Sequence, residues 1–175
     1  GARITMDWLQ ESVSTLYRQG HDAGLQWTTP VGFPVYQLYN STKAKQVKTT
    51  LQNMYVRLNL REGTDKIDKV RMKNSISPNF IHSLDASHLM LSINKAKDEG
   101  INSFAMIHDS FGTHACDTHK FSSILRNEFV DMYEKNNVLG DLFSSLKEIC
   151  NDIPNPPATG YLDLTNVKDS EYFFS

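Results

Sequence analysis

A change in the spacing of apolar residues is the feature that most constrains how this chain can fold. Residues 2–19 place apolar side chains at the spacing of one helix face, whereas residues 40–62 alternate with a period of two. Such alternation is typical of a strand whose two faces differ. The sequence therefore predicts a helix followed by an extended ribbon with one polar, partly basic face. The alternating positions are Val47, Thr49, Leu51, Asn53, Tyr55, Arg57 and Asn59.

Turn and cap residues predict the elements on either side of the ribbon. Two prolines within residues 26–39 indicate strand, turn, strand, and residues 63–68 have the composition of a loop. Ser77 before Pro78 predicts the start of a long helix, because serine caps helices and proline suits their first turn. Gly100 is suited to end that helix.

A short apolar segment near the middle of the chain predicts a buried hairpin. Residues 103–107 form the first strand, and residues 111–115 can return as its antiparallel partner. His108 and Asp109 follow the first strand. A carboxylate at a rigid strand end can be held as a metal site requires, although a solvated turn aspartate explains this feature alone equally well.

The following residues predict two further helices within 118–149, divided near Asn136. This order of helix, ribbon, helix, hairpin and helices predicts an α+β fold.

Three polar residues recur every third position along the long helix. His82, Asp85 and His88 therefore lie close together on one surface. A polar, solvated helix face is an alternative explanation of this spacing.

Composition limits the classes of function. The net charge is −2, so nucleic-acid binding would require a local basic strip. Cys116 and Cys150 form no disulfide framework, which fits a reducing compartment. No apolar run has the length of a membrane span. An amphipathic pattern is already present at Gly1, which favours a piece of a longer protein.

Four motifs together resemble a known family. They are residues 28–34 (Thr-Thr-Pro-Val-Gly-Phe-Pro), residues 77–88 (Ser-Pro-Asn-Phe-Ile-His-Ser-Leu-Asp-Ala-Ser-His), residues 107–115 (Ile-His-Asp-Ser-Phe-Gly-Thr-His-Ala) and the aromatic end, residues 169–175. The second and third resemble the palm segment of the single-subunit DNA-dependent RNA polymerases of podovirus-type phages and mitochondria. All four follow the order of that family and span nearly the whole chain.

The resemblance implies a nucleotidyltransferase that uses Mg²⁺. Asp109 would be the second of two Mg²⁺-binding aspartates, with His108 as its neighbour. His82 would reach toward the ribose of the substrate or the end of the nascent RNA.

The resemblance also implies a division into three parts. Residues 1–35 would hold the helix leading from fingers to palm, residues 36–68 the specificity-loop ribbon, and residues 69–175 the C-terminal palm. Within the ribbon, Arg57 and Asn59 would read base edges, since arginine suits guanine and asparagine suits adenine. Three lysines would contact phosphates without specifying sequence: Lys43, Lys45 and Lys48.

Other family elements lie upstream of the first motif. These are the first catalytic aspartate and the fingers helix with its lysine and tyrosine. We therefore expect the chain to be inactive alone and to require the N-terminal remainder of the polymerase. The expected partners are promoter and template DNA, nascent RNA and ribonucleoside triphosphates, without a membrane. The compact C-terminal region favours a phage enzyme acting in the bacterial cytoplasm, with the mitochondrial matrix as the alternative.

Three other interpretations remain at this point. An HD-type metal phosphohydrolase could use His82, His108, Asp109 and Asp131, although that class places its His-Asp pair on helices. A DNA-binding module without catalysis would use only the ribbon. A zinc site from His114, Cys116 and His119 lacks a second ligand pair.

The aromatic C-terminus predicts a docked tail. Phe173 and Phe174 would be costly to leave in water at a free chain end. We expect the segment 173–175 to fold back toward the hairpin that bears Asp109, which would bring the carboxylate of Ser175 near the metal site.

Overall fold

The computed structural model describes residues 1–52, 54–107 and 110–173. It has mixed helices and antiparallel strands, which confirms the predicted α+β class. The elements in chain order are α1 (Ala2–Arg18), β1 (Leu25–Thr28), β2 (Pro34–Gln37), β3 (Asn40–Leu51), β4 (Met54–Ile67), α2 (Lys69–Asp98), β5 (Ala105–Ile107), β6 (Ser110–Gly112), a 3₁₀ turn (Ala115–Asp117), α3 (Thr118–Lys135), α4 (Val138–Ile149) and α5 (Asn166–Asp169).

The larger core forms where α1 packs along α2. The apolar face of α1 is buried there from Trp8 onward, and Leu25 and Trp27 of β1 extend the core toward α4. The indole Nε1–H of Trp27 donates a hydrogen bond to Ser83 Oγ at 3.1 Å, which ties β1 to the middle of α2. This core fixes α2 as the central support of the molecule. Its buried members in α1 are Trp8, Leu9, Val13, Leu16 and Tyr17.

Helix α2 begins earlier than the sequence predicts. It starts after Asp68, whose carboxylate accepts a hydrogen bond from the Arg71 amide, and Pro78 lies inside it. A proline in a helix interior costs about 3 kcal/mol. Burial of Met72 and Ile76, at roughly 1.5–3 kcal/mol each, offsets that cost. The predicted start at Ser77 and Pro78 was therefore wrong.

Strands β3 and β4 form the predicted ribbon, and it is longer than expected. Strand β4 continues through residues 63–67, so the predicted loop there was wrong. Ser41 Oγ lies 2.6 Å from Thr64 Oγ1, and Thr64 Oγ1 also donates to the Ser41 carbonyl, so hydroxyl groups hold this end of the ribbon together. The two strands are paired over nearly their full length.

A second, smaller core lies between the end of α2, the β5–β6 hairpin and α3. Its buried members include Ile101, Phe121 and Ile124, and Phe104 and Phe111 pack against them. Gly100, at φ +91°, ends the last turn of α2 as predicted. Within the described residues, none of the helices is both long and apolar enough to cross a membrane.

Candidate functional site

Strands β5 and β6 pair antiparallel as the sequence predicts, but Ala105 and Ile107 are exposed, so the predicted burial of the first strand was wrong. Ala105 lies opposite Gly112, and Ile107 lies opposite Ser110. A side chain at Gly112 would come within 3.1 Å of the Ala105 carbonyl oxygen, so the glycine permits the close approach of the strands. His108 and Asp109 follow Ile107 in the sequence and lie outside the described residues.

An aromatic cluster holds β6 against α2 and α3. The ring centroid of Phe111 lies 5.8 Å from that of His88 and 6.3 Å from that of Phe121. Phe129 of α3 completes the cluster: its ring is nearly perpendicular to that of His88 at 5.5 Å, and it meets the Tyr133 ring edge-on at 5.0 Å and 62°. These separations are typical of stabilising aromatic pairs. The strand that follows Asp109 is thus packed against two helices.

A cavity of about 420 Å³ lies beside this cluster. Its lining includes His82, Asp85 and His88 from α2, together with Phe111 and Tyr133. The three-residue spacing therefore brings all three polar side chains to one cavity. His82 and Asp85 are exposed, whereas His88 is buried. The volume is within the range of pockets that hold small molecules.

Burial shifts the pKa of two groups in this cavity. Desolvation lowers the pKa of His88 below 6.5, against the opposing effects of its hydrogen bond to the Leu125 backbone and of Asp85. Burial raises the pKa of Tyr133, and the nearby charge of Asp85 raises it further. The lowered pKa favours the neutral form of the His88 imidazole.

One face of the ribbon is mainly polar, and the other has most of the apolar residues. Directly opposed residues share a face, and the pairs Lys48–Arg57 and Gln46–Asn59 form the polar one. Gln46 Nε2 donates to Asn59 Oδ1 at 3.3 Å. The other face contains the apolar pairs Val47–Leu58, Thr49–Val56 and Leu51–Met54, and the pairs Lys45–Leu60 and Lys43–Glu62.

The predicted ribbon residues are divided between these faces. Arg57, Asn59 and Lys48 lie together, whereas Lys43 and Lys45 lie on the apolar face. Lys45 Nζ is 3.5 Å from Glu62 Oε2, so part of the charge on that face is compensated. The polar face has Lys48, Arg57 and Arg61 but no acidic residue among residues 42–51 and 54–63.

The C-terminal tail packs on α3. The ring of Phe173 lies 5.4 Å from that of Phe129, and the Arg126 guanidinium lies 5.3 Å from the Phe173 ring. Arg126 also donates to the backbone carbonyls of Val167 and Ser170. Phe173 thus packs against the core beneath the hairpin, as expected. Phe174 and Ser175 lie outside the described residues.

Two of the other interpretations, the HD-type phosphohydrolase and the zinc site, lose support. Strand β5, and not a helix, precedes His108, and Asp131 forms an ion pair with Lys135 at 2.6 Å. Among the described residues, no group of three His, Cys, Asp or Glu side chains could hold a metal. The proposed zinc ligands His114, Cys116 and His119 therefore do not form such a group.

Comparison with known proteins decides the family. Residues 1–152 match the family model described as DNA-dependent RNA polymerase. The chain belongs to the DNA-dependent RNA polymerase family. This confirms the resemblance to the single-subunit enzymes that the four motifs indicated.

The relatives of this polymerase chain include plant organellar proteins. It is 39% identical over 176 residues to DNA-directed RNA polymerase 1B, mitochondrial, of Nicotiana tabacum. It is 41% identical over 177 residues to DNA-directed RNA polymerase 2, chloroplastic/mitochondrial, of Arabidopsis thaliana. Each match covers 99% of this chain and 17% of the relative. The polymerase chain thus spans about a sixth of the length of these curated relatives.

Sequence reasoning missed part of this site. Phe129 and Tyr133 line the cavity from α3. His88 is buried and not a surface residue. Helical spacing places residues on one face of their own helix only. A signal for Phe129 and Tyr133 was available in their four-residue separation on an amphipathic helix, but nothing in the sequence specified α2 as its neighbour.

Proposed function

We propose that this chain is the C-terminal palm portion of a polymerase that joins ribonucleotides on a DNA template. The observation that supports this most directly is the β5–β6 hairpin: its strands flank Asp109 in the sequence and pack on α2 and α3. A strand pair supported in this way can hold a carboxylate rigidly. The activity requires the rest of the polymerase, because a two-metal site needs more carboxylates than Asp109 alone.

Asp109 is the proposed Mg²⁺ ligand. Carboxylate oxygen is the ligand that Mg²⁺ prefers, so the donor chemistry fits. Bound Mg²⁺ neutralises the charge that develops on the transferring phosphoryl group. Asp109 would hold the ion through its carboxylate. His108, its neighbour, is proposed to shape that end of the hairpin, since imidazole is a poor ligand for Mg²⁺.

His82 is proposed to orient the ribose or the end of the nascent RNA. Its side chain is exposed and lines the 420 Å³ cavity together with Phe111 of the hairpin. It also lines a second cavity of about 370 Å³ that includes Tyr39 and Asn79. A hydrogen-bonding side chain between two cavities is suited to contact a sugar hydroxyl.

A polymerase assembled from this chain and its N-terminal remainder tests these roles. Asp109→Asn should abolish nucleotide addition on a preformed RNA–DNA scaffold while template binding stays near the wild-type level. In the same assay, His82→Ala should raise the KM for ribonucleotides and leave catalysis measurable. If Asp109→Asn retained more than a few per cent of the wild-type rate of nucleotide addition, Asp109 would not be the Mg²⁺ ligand. An equal loss of nucleotide addition in Asp109→Asn and His82→Ala would place His82 among the catalytic residues.

The polar face of the ribbon is proposed to bind promoter DNA as the specificity loop. Lys48 and Arg57 lie directly opposite each other, an arrangement that is unfavourable for like charges unless an anion lies nearby. Arg57 and Asn59 are the proposed base readers, and Lys48 is a proposed phosphate contact. Lys43 and Lys45 are also proposed to contact phosphates, from the other face. Residues 36–68 would then act as one unit between the segments 1–35 and 69–175.

We propose an organellar location for the complete polymerase. The names of the relatives are mitochondrial or chloroplastic, which favours the mitochondrial alternative over the bacterial host of a phage. Fluorescent tagging of the complete protein in its own cells tests this. Signal that excludes the organelles would contradict it.

A further inference from the structure

The imidazole of His88 lies where three elements meet, and none of the roles proposed above uses it. The ring projects from α2 and is 3% exposed. Its Nε2 lies 2.8 Å from the carbonyl oxygen of Leu125 in α3. A carbonyl oxygen only accepts hydrogen bonds, so Nε2 bears the hydrogen and donates it. The ring is therefore anchored to the backbone of α3 by a directional bond as well as by packing.

The anchored ring also contacts the hairpin. The Phe111 ring lies 5.8 Å away at an angle of 59°, and the Phe129 ring lies 5.5 Å away at 85°. Phe111 lies opposite Met106 in the strand pair and follows Asp109 by two residues. The position of the His88 ring consequently determines how closely β6 can approach both α2 and α3.

We infer that His88 is a positioning residue for Asp109. The Leu125 carbonyl holds the imidazole, the imidazole packs on Phe111, and Phe111 fixes β6, the strand that begins directly after Asp109 in the sequence. This inference rests on the proposed function, because it concerns the placement of a metal ligand. A functional group must be held within about 0.5 Å of its productive position.

The competing explanation is that His88 only fills the core. A matched variant separates the two. Phe80 also projects from α2 and is 3% exposed, but it packs against Trp27 at 6.1 Å in the larger core. Phe80→Leu and His88→Leu therefore both alter a buried ring of the same helix, and only the second alters a contact with the hairpin. His88→Gln retains a donor for Leu125 and loses the ring.

The first measurement is the Mg²⁺ concentration that gives half-maximal nucleotide addition by the complete polymerase on a preformed scaffold. Replacing residues that support a metal ligand typically costs 10–100-fold in metal affinity or activity. We expect His88→Leu to raise the Mg²⁺ requirement about tenfold, at the lower end of that range. His88→Gln should raise it less. Phe80→Leu should leave it unchanged, even where the two leucine variants lose equal thermal stability.

The second measurement does not depend on activity. Amide hydrogen exchange in the complete polymerase, without nucleotide, should accelerate in residues 104–113 of His88→Leu and stay at the wild-type rate there in Phe80→Leu. Equal acceleration in both variants, or an unchanged Mg²⁺ requirement with unchanged exchange, would overturn the inference. If His88→Leu does not fold, the same criteria apply to His88→Gln. The proposed function would stand in either case, provided that the wild type is active and Asp109→Asn is not.

Discussion

The ribbon (β3 and β4) and the rest of the described chain, called the body here, obtain their shapes in different ways. None of the described residues of β3 and β4 is buried, whereas α1 alone buries seven side chains against α2 and its neighbours. The body is stabilised by two apolar cores, and the ribbon by strand pairing and hydroxyl contacts such as that between Ser41 and Thr64. An isolated two-stranded ribbon is marginally stable in water.

This difference shows which region can carry which task. The proposed metal ligand and sugar contact require fixed positions, and aromatic packing such as that of His88 on Phe111 is rigid enough to support them. A surface that follows a DNA groove requires exposed side chains on both strands, and the ribbon presents Lys48, Arg57 and Asn59 in that way. We therefore expect changes in the two regions to affect different properties.

The two regions should differ most in the free energy of unfolding that a leucine-to-alanine substitution costs in each. Leu16 of α1 is fully buried, whereas Leu60 of β4 is 50% exposed. Leu16→Ala should lower the free energy of unfolding by about 2–5 kcal/mol, because it leaves a cavity in the core. Leu60→Ala should change it by about 0.5 kcal/mol or less. Urea unfolding followed by the fluorescence of Trp8 and Trp27 measures both, and similar losses would show that the ribbon belongs to the cooperative core.

A smaller effect should follow from the buried histidine of the body. Burial lowers the pKa of His88 below 6.5, so the unfolded chain binds a proton more readily than the folded one. Stability from this group is therefore complete above pH 6.5 and decreases as the pH falls through that value, until the folded pKa is reached. Burial also raises the pKa of Glu128. That contribution to the pH dependence is present in both the wild type and His88→Gln.

The control is His88→Gln, which has no titrating group at this position. The difference in unfolding free energy between wild type and His88→Gln should shrink as the pH is lowered from about 7.5 toward 5.5. A difference that stays constant over this interval would mean that the folded and unfolded chains bind protons at His88 equally. Variants of the ribbon should show the same pH profile as the wild type.

Local patterns predicted much of the body, and they failed where packing outweighs them. The helical spacing of residues 2–19 predicted α1, and Gly100 predicted the end of α2. Pro78 suggested a helix start, because proline suits a first helical turn. The burial of Met72 and Ile76 extends the helix nine residues further toward the N-terminus, and spacing alone did not indicate that those two side chains meet α1.

The faces of the ribbon show a second limit. Alternation places Val47, Thr49 and Leu51 in one series with Tyr55 and Arg57. The strand register instead pairs Leu51 with Met54, so odd-numbered residues of β3 share a face with even-numbered residues of β4. Sequence predicted a two-faced strand pair, but the membership of each face depends on where the chain turns.

The most direct test of the division between body and ribbon compares two assays of the complete polymerase. One measures promoter-dependent starts, and the other measures extension of a preformed RNA–DNA scaffold. Because each base contact contributes roughly 1–3 kcal/mol of discrimination, replacing both Arg57 and Asn59 by alanine should weaken promoter starts and spare extension.

Replacing Lys43 and Lys45 by alanine is the matched control from the other face of the ribbon. Since phosphate contacts specify no sequence, this change should weaken binding to promoter and non-promoter DNA alike. If the ribbon reads the promoter, the Arg57 and Asn59 variant should lose promoter starts selectively. Equal losses of starts and of extension in that variant would contradict this role, since the ribbon would then be a structural support of the body.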